Sequence, residues 1–224
     1  MIDAAHPDVV GRYLIGDQAF FYPVKRPEVD RAAVSPARNI ASFAIAPGRY
    51  VLTISLTQEF VQFAPFEQAC QQLGLLGTNA DASAFDAKRV ESLIRQFDVA
   101  AICGIDAGVL DGLADLGHDA ATILAGRVVW ARPDAFDRVA AMPGVNARRC
   151  AAIGPVLGLE CVVGEGMHID GREWIASAPG GTIILDSRLP RLTPLVALDT
   201  GVAGDVVTAP CRCGSPDPRL VLAN

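Results

Sequence analysis

The stretch RYVLTISL, residues 49–56, opens the part of this sequence that decides its fold. Its β-branched and aromatic residues predict a strand. The following residues, 60–75, carry apolar side chains at helical spacing, which predicts a helix. The same alternation continues to residue 153, with predicted helices over 85–97, 106–116 and 134–141 and predicted strands over 99–104, 127–130 and 147–153. Alternation at this spacing predicts an α/β fold with a layered, mostly parallel sheet and flanking helices.

The sequence on either side of this stretch has a different pattern. Residues 1–48 are expected to be an irregular N-terminal segment with short strands near 12–15 and 19–22, because prolines interrupt anything longer. After Gly154 the helical spacing stops, and short β-type runs alternate with glycine and proline turns. The sequence therefore predicts three parts: the N-terminal segment, an α/β sheet subdomain over 49–153 and a small β-rich subdomain over 154–224.

The composition of the 224 residues excludes several classes of protein. Hydrophobic residues make up 51% of the chain, so it can bury a sizeable core. A net charge of −6 argues against nucleic acid or an anionic membrane as the main partner. No apolar run reaches the roughly 18–20 residues of a membrane span, and the N-terminus has no signal-peptide pattern. Six cysteines in this context indicate reduced thiols or metal ligands, and the cytoplasm is the predicted location.

Four residues in the C-terminal third have the chemistry of a metal site. Cys161 and His168 lie seven positions apart, and the pair Cys211 and Cys213 follows about forty residues later. Three thiols and one imidazole are the ligand set of a tetrahedral zinc site, and four protein ligands leave no open position for a water molecule. The pattern therefore predicts a structural Zn²⁺ that staples the β-rich subdomain. The alternative is a set of ordinary thiols and a surface histidine.

The segment from Gly154 to Leu220 resembles the phenylacetate-CoA ligase branch of the adenylate-forming enzymes. Four of its pieces correspond, in order, to motifs of that branch: GPVLGLEC (154–161), GMHI (166–169), TPLVALDTGV (193–202) and CRCGSPDPR (211–219). The strand and helix order of 49–153 also matches the central sheet of that family. The resemblance covers most of this chain but about the middle half of a typical member. It implies that the four residues named above bind a structural zinc, as they do in several members.

The chain departs from the family pattern at the positions that bind ATP. The Ser/Thr/Gly-rich phosphate loop corresponds to residues 15–21, which contain Asp17 and no hydroxyl. The segment that packs on adenine and helps to hold Mg²⁺ corresponds to 147–151, without its aromatic residue, hydroxyl or carboxylate. The aspartate that binds the ribose is replaced by Val202, and Asp205 lies three residues away. The mobile C-terminal domain with its catalytic lysine is expected to be absent, because the sequence ends at Asn224.

These departures predict a protein that does not adenylate. We expect a zinc-stabilised accessory or binding protein for an acyl or aryl acid, or its thioester, in specialised metabolism. A homodimer, or a complex with a full-length ligase, is the expected assembly.

Two other functions stay open at this point. One is a repurposed ATP-independent enzyme for acyl transfer, hydrolysis or cyclisation, for which Cys150, Arg149 and His118 are the candidate catalytic residues. The simpler roles for Arg149 and His118 are a solvated strand edge and a loop residue. The other function is residual acyl-CoA ligase activity, or a non-catalytic partner subunit of a ligase.

Overall fold

A computed structural model describes residues 6–223 of the chain. The strands are β1 Val9–Ile15, β2 Gln18–Val24, β3 Tyr50–Ile54, β4 Leu76–Ala80, β5 Val99–Ile105, β6 Val128–Ala131, β7 Asn146–Ile153, β8 Val156–Glu160, β9 Met167–His168, β10 Trp174–Ser177, β11 Thr182–Ser187, β12 Leu198–Val207 and β13 Arg219–Leu222. The α-helices are α1 Arg26–Ala32, α2 Val34–Ala41, α3 Phe60–Gln72, α4 Ala87–Gln96, α5 Ala107–Asp115, α6 Ala120–Leu124 and α7 Pro133–Ala140. None of these helices is long and apolar enough to cross a membrane.

The central part is a parallel sheet covered by helices on both faces, as the sequence predicts. Its strands are ordered β4-β3-β5-β6-β7, and each neighbouring pair is parallel. Alternate residues of a strand point to opposite faces, so Leu52 packs with α4, α5 and α7 whereas its neighbour Val51 packs with α2 and α3. Strands covered on both faces bury nearly every side chain, which explains the continuous apolar runs of the sequence.

The sheet continues beyond β7 but changes direction there. β7 and β8 form an antiparallel hairpin, and the sheet runs on as β8-β9-β13-β12-β11-β10 with every pair antiparallel. The turn contains Gly154 at φ 54°, in the left-handed region that glycine adopts readily. The change from parallel to antiparallel pairing thus falls where the sequence predicts the change of subdomain, although the two parts share one eleven-stranded sheet. The three-part division itself stays a prediction.

The N-terminal segment is regular where the sequence predicted irregular structure. β1 and β2 form a hairpin, longer than the two short strands expected, and two helices follow. Pro27 and Pro36 lie in the first turns of α1 and α2. A proline there removes only an N–H that has no partner within the helix, so these prolines begin helices and do not prevent them.

Three further elements differ from the prediction. Helix α3 begins at Phe60, where the sequence predicts it, but ends at Gln72, three residues before the predicted end. β4 was missed, because its sequence LGTNA has little β propensity, and it pairs only with β3 at the edge of the sheet. Residues 161–163, one of the short β-type runs predicted after Gly154, instead form a turn that follows β8 and carries Cys161.

Candidate functional site

The four predicted metal ligands meet at one place in the antiparallel part of the sheet. Cys161 directly follows β8, His168 lies on β9, and Cys211 and Cys213 lie in the turn before β13. Because β8, β9 and β13 are neighbours in the sheet, residues fifty positions apart come together. The four ligand atoms all lie within 4.8 Å of one another, and three of the four residues are buried.

The distances inside this cluster test whether it suits zinc. Zinc–sulfur bonds of about 2.3 Å and zinc–nitrogen bonds of about 2.0–2.1 Å at tetrahedral angles place two sulfurs about 3.8 Å apart, and a sulfur and a nitrogen about 3.5 Å apart. The Sγ atoms of Cys161 and Cys211 are 3.8 Å apart, and Cys213 Sγ is 3.5 Å from His168 Nε2. The sulfur separation is also far too long for a disulfide. The donor set and its spacing therefore fit a tetrahedral Cys₃His site.

Hydrogen bonds orient the ligands before any metal binds. His168 Nδ1 lies 3.1 Å from the backbone carbonyl of Asp217, which selects the tautomer that presents the lone pair of Nε2 to the cluster. Burial lowers the pKa of His168, so the imidazole is neutral at neutral pH, as a metal ligand must be. Burial would raise the pKa of Cys211, but the backbone N–H of Cys213 and the neighbouring thiols outweigh burial and lower it.

A separate crevice lies at the carboxyl ends of the parallel strands, where open α/β sheets bind their ligands. It encloses about 420 Å³ between β1, the start of α3, and the ends of β5, β6 and β7. Its polar lining includes Arg12, Arg132, Asp106 and Asp134, and the small residues Ala151, Ala152 and Gly154 also line it. This volume suits a small organic ligand.

Arg132 and Glu59 are crevice residues that the sequence did not single out. Both Nη atoms of Arg132 lie 2.7 Å from the carboxylate of Glu59, and Arg132 also donates to the carbonyls of Gly104 and Ile54. Arg132 and Glu59 therefore connect the ends of β3, β5 and β6, and their opposite charges cancel. The places of Arg132 and Glu59 in the sequence could have identified them, because both follow the carboxyl end of a predicted parallel strand.

One of the positions that depart from the ATP-binding pattern lines this crevice. Ala151 lines the crevice and brings neither a hydroxyl nor a carboxylate to it. Asp17 is exposed in the turn between β1 and β2. Val202 packs on an apolar cluster, and Asp205 is exposed on β12.

The structure does not bring the three candidate catalytic residues together. Cys150 is 1% exposed in the core between the sheet and α3, and its thiol donates to the carbonyl of Trp130. A nucleophile must reach its substrate, so this placement favours a role in the core. The guanidinium carbon of Arg149 lies 3.7 Å from the centre of the Phe136 ring, and Arg149 forms a salt bridge with Glu160. His118 follows the end of α5, and because α5 runs back from the carboxyl end of β5, His118 lies at the edge opposite the crevice.

A buried ion cluster, also missed from sequence, joins the N-terminal helices to the β-rich part. Arg191 lies 2.6 Å from Glu173 and 3.5 Å from Glu28, and all three side chains are at most 5% exposed. The guanidinium carbon of Arg191 also lies 4.1 Å from the centre of the Trp174 ring. Burial raises the pKa of the adjacent Tyr22 to about 12, so its hydroxyl stays protonated and donates to the carbonyl of Thr193.

The outer face of the β1–β2 hairpin exposes apolar side chains. The register places Val10, Leu14 and Phe21 on this face, and Phe21 is 78% exposed. Nothing in residues 6–223 covers it, and the expected homodimer or ligase complex stays a prediction.

Comparison with solved structures identifies the fold. The chain is similar to 2-hydroxyisobutyryl-CoA ligase in an open conformation with 2-HIB-AMP and CoA, at a TM-score of 0.72 and 15% identity, over 98% of this chain and 57% of the ligase. A structure of the same ligase in the postadenylation state, with R3-HIB-AMP, gives a TM-score of 0.73 at 16% identity, over 96% of this chain and 51% of the ligase. The N-terminal subdomain of Klebsiella oxytoca NpsA, in complex with 3-hydroxybenzoyl-AMSN, gives a TM-score of 0.55 at 11% identity, over 97% of this chain and 60% of the NpsA chain.

The comparisons by sequence give no relative. No family model and no curated protein matches this chain. The chain spans about half the length of the ligase structures that it matches. It therefore has the fold of part of an adenylate-forming ligase, as the resemblance of its motifs implied.

Proposed function

We propose that this chain is an adenylate-forming-like protein, related to the phenylacetate-CoA ligase branch, that binds a small acyl or aryl acid or its thioester without adenylating it. The single observation that carries the proposal is the crevice at the carboxyl edge. It keeps the volume and position of a ligand site, while the positions that the resemblance assigns to ATP carry other residues.

One cation of the crevice supports an acid as the ligand. Arg132 is neutralised by Glu59, whereas Arg12 has no ion-pair partner among residues 6–223. Asp106 caps α5 and Asp134 accepts from the backbone N–H of Ala107, so both carboxylates are held by backbone donors although they keep their negative charge. Arg12, which lines the crevice from the same face of β1 as Leu14, is thus the lining cation that remains to bind a carboxylate.

The residues at the positions that the resemblance assigns to ATP speak against a nucleoside triphosphate. Phosphoryl-activating chemistry requires cations and oriented donors around the phosphates. Asp17, in the turn that corresponds to the phosphate loop, would repel them. Ala151 supplies no carboxylate for Mg²⁺. These residues support loss of adenylation within the part of the chain described.

In this proposal the metal centre has a structural role. Zn²⁺ on Cys161, His168, Cys211 and Cys213 would join β8 and β9 to the turn before β13. All four ligands come from the protein, so the centre would hold the antiparallel strands in register and take no part in the chemistry of the crevice.

A thermal-melt titration tests the ligand class. We expect phenylacetate, 2-hydroxyisobutyrate or one of their CoA thioesters to raise the melting temperature, and Mg-ATP to leave it unchanged. A ligand at a hundred times its dissociation constant stabilises by about 2.7 kcal/mol, which corresponds to roughly 5–10 °C for a chain of this size. A clear shift with Mg-ATP would contradict the loss of adenylation, and no shift with any acid or thioester would contradict the binding role.

Replacing Arg12 tests the site. Because a hydrogen bond to a charged group contributes about 1.5–3 kcal/mol, we expect Arg12→Gln to weaken binding of the acid roughly 10- to 100-fold. Arg95→Gln is the matched control, since Arg95 is an exposed residue of α4 paired with Glu91. Equal affinities of the two variants for the acid would remove Arg12 from the site.

A further inference from the structure

Asp217 is a buried residue that contacts the metal centre without being one of its ligands. It lies four positions after Cys213 and is 3% exposed. Its backbone carbonyl accepts the hydrogen bond of His168 Nδ1 at 3.1 Å. The orientation of the imidazole therefore depends on the position of residue 217.

The carboxylate of Asp217 is held by donors from three parts of the chain. Oδ2 accepts from Ser35 Oγ at 2.7 Å and from Arg38 Nη2 at 2.6 Å, both on α2. Oδ1 accepts from the backbone N–H of Gly171 at 3.2 Å, and Ser215 Oγ lies 3.3 Å from Oδ2. One side chain thus connects helix α2 to the turn that carries Cys211 and Cys213.

The other end of α2 contacts the chain on both sides of Cys161. Asn39 Nδ2 donates to the carbonyl of Leu159 at 2.6 Å, and the backbone N–H of Val162 lies 3.4 Å from Ser42 Oγ just beyond the helix. Helix α2 therefore contacts both halves of the ligand set, one through Asp217 and one through the residues beside Cys161. None of these contacts involves a ligand atom.

We propose that Asp217 is a positioning residue that couples metal binding to the docking of α2. When α2 is docked, Ser35 and Arg38 fix the carboxylate of Asp217, the backbone of residue 217 is held, and His168 presents Nε2 to the metal. When the metal binds, it fixes the same turn from the other side and strengthens the docking of α2. Such coupling is reciprocal, so each event favours the other by the same factor.

This inference rests on the proposed metal centre, and zinc affinity tests it. In competition with a chelator, we expect Asp217→Asn to bind Zn²⁺ about 10- to 100-fold more weakly than the wild type, the usual effect of losing an outer-shell partner of a metal ligand. An amide offers a single acceptor oxygen, and its N–H groups face the donors of α2. Asp170→Asn is the control, because Asp170 is a buried carboxylate of the same region that pairs with Arg172.

Two further measurements keep the test independent of misfolding at position 217. Ser35→Ala, distant from the ligands in sequence, should weaken Zn²⁺ binding a few-fold. Removal of Zn²⁺ from the wild type should accelerate hydrogen exchange of the amides of α2 more than those of α4, which is remote from the centre. Wild-type zinc affinity in both Asp217→Asn and Ser35→Ala, or unchanged exchange of α2, would overturn the coupling. A wild type that binds no Zn²⁺ would instead overturn the metal centre itself and the coupling with it.

Discussion

The double substitution of Cys211 and Cys213 by serine should abolish binding of the metal and cause a large loss of stability. The wild type is expected to contain about one zinc per chain, bound by Cys161, His168, Cys211 and Cys213. A structural zinc contributes on the order of 10 kcal/mol to the stability of small domains. Because this chain also buries extensive apolar clusters, we expect the loss to be several kcal/mol and the fold of the parallel part to survive.

Metal analysis and thermal unfolding measure this effect, and the turn itself provides the control. Arg212 lies between the two cysteines, and its side chain is 76% exposed. Arg212→Ala keeps all four ligands and removes only an exposed ion pair, so its stability should change by less than about 1 kcal/mol. A chelator should lower the melting temperature of the wild type and of Arg212→Ala but not that of the double variant. Purified wild-type protein without zinc, or a double variant as stable as the wild type, would contradict the prediction.

Replacing Arg191 by methionine should destabilise the chain by about 3–5 kcal/mol, the usual cost of removing one partner from a buried ion pair. Arg191 is 4% exposed and lies between Glu28 and Glu173, which are equally buried. Methionine fills a similar volume but leaves both carboxylates without this cation, and among residues 6–223 only Glu173 keeps a second one, Arg31. The loss of stability should appear in urea unfolding at neutral pH.

A second substitution distinguishes the effect of losing the charge of Arg191 from the effect of losing its packing. If the cost comes from unpaired carboxylates, Arg191→Met combined with Glu28→Gln should recover part of the lost stability. Arg26→Met is the control, because Arg26 is 71% exposed and its pair with Asp30 contributes little. No recovery in the double variant would assign the effect to lost packing on Trp174.

The fold of residues 49–153 could be read from sequence because the pattern there is local. Strands such as Val99–Ile105 are continuous apolar runs, and helices such as Ala87–Gln96 have one apolar face. A continuous apolar run indicates a strand that is buried on both faces. A single apolar face indicates a helix that is buried on one side. The N-terminal helices were missed because Pro27 and Pro36 were read as breaks, and only the position of a proline within a helix decides whether it begins or interrupts the helix.

The clustering of the four candidate metal ligands was also predictable, because residue type and spacing are strongly restrictive for zinc. The sequence alone selected the four residues whose ligand atoms lie within 4.8 Å of one another. It could not select Asp217, since an aspartate between two prolines has no local feature that marks it. Its role depends on Ser35 and Arg38, which lie about 180 positions away.

The sequence by itself thus determined the alternation of strand and helix and the four Cys and His residues that cluster as candidate metal ligands, because each depends on neighbouring residues or on rare side chains. The tertiary structure alone decided that Cys150 is buried, that Arg12 lines a crevice and has no ion-pair partner among residues 6–223, and that Glu28, Glu173 and Arg191 form one cluster. Those facts depend on contacts between elements far apart in the chain. A long-range contact is fixed by the packing of the whole sheet and its helices, and no local pattern encodes it.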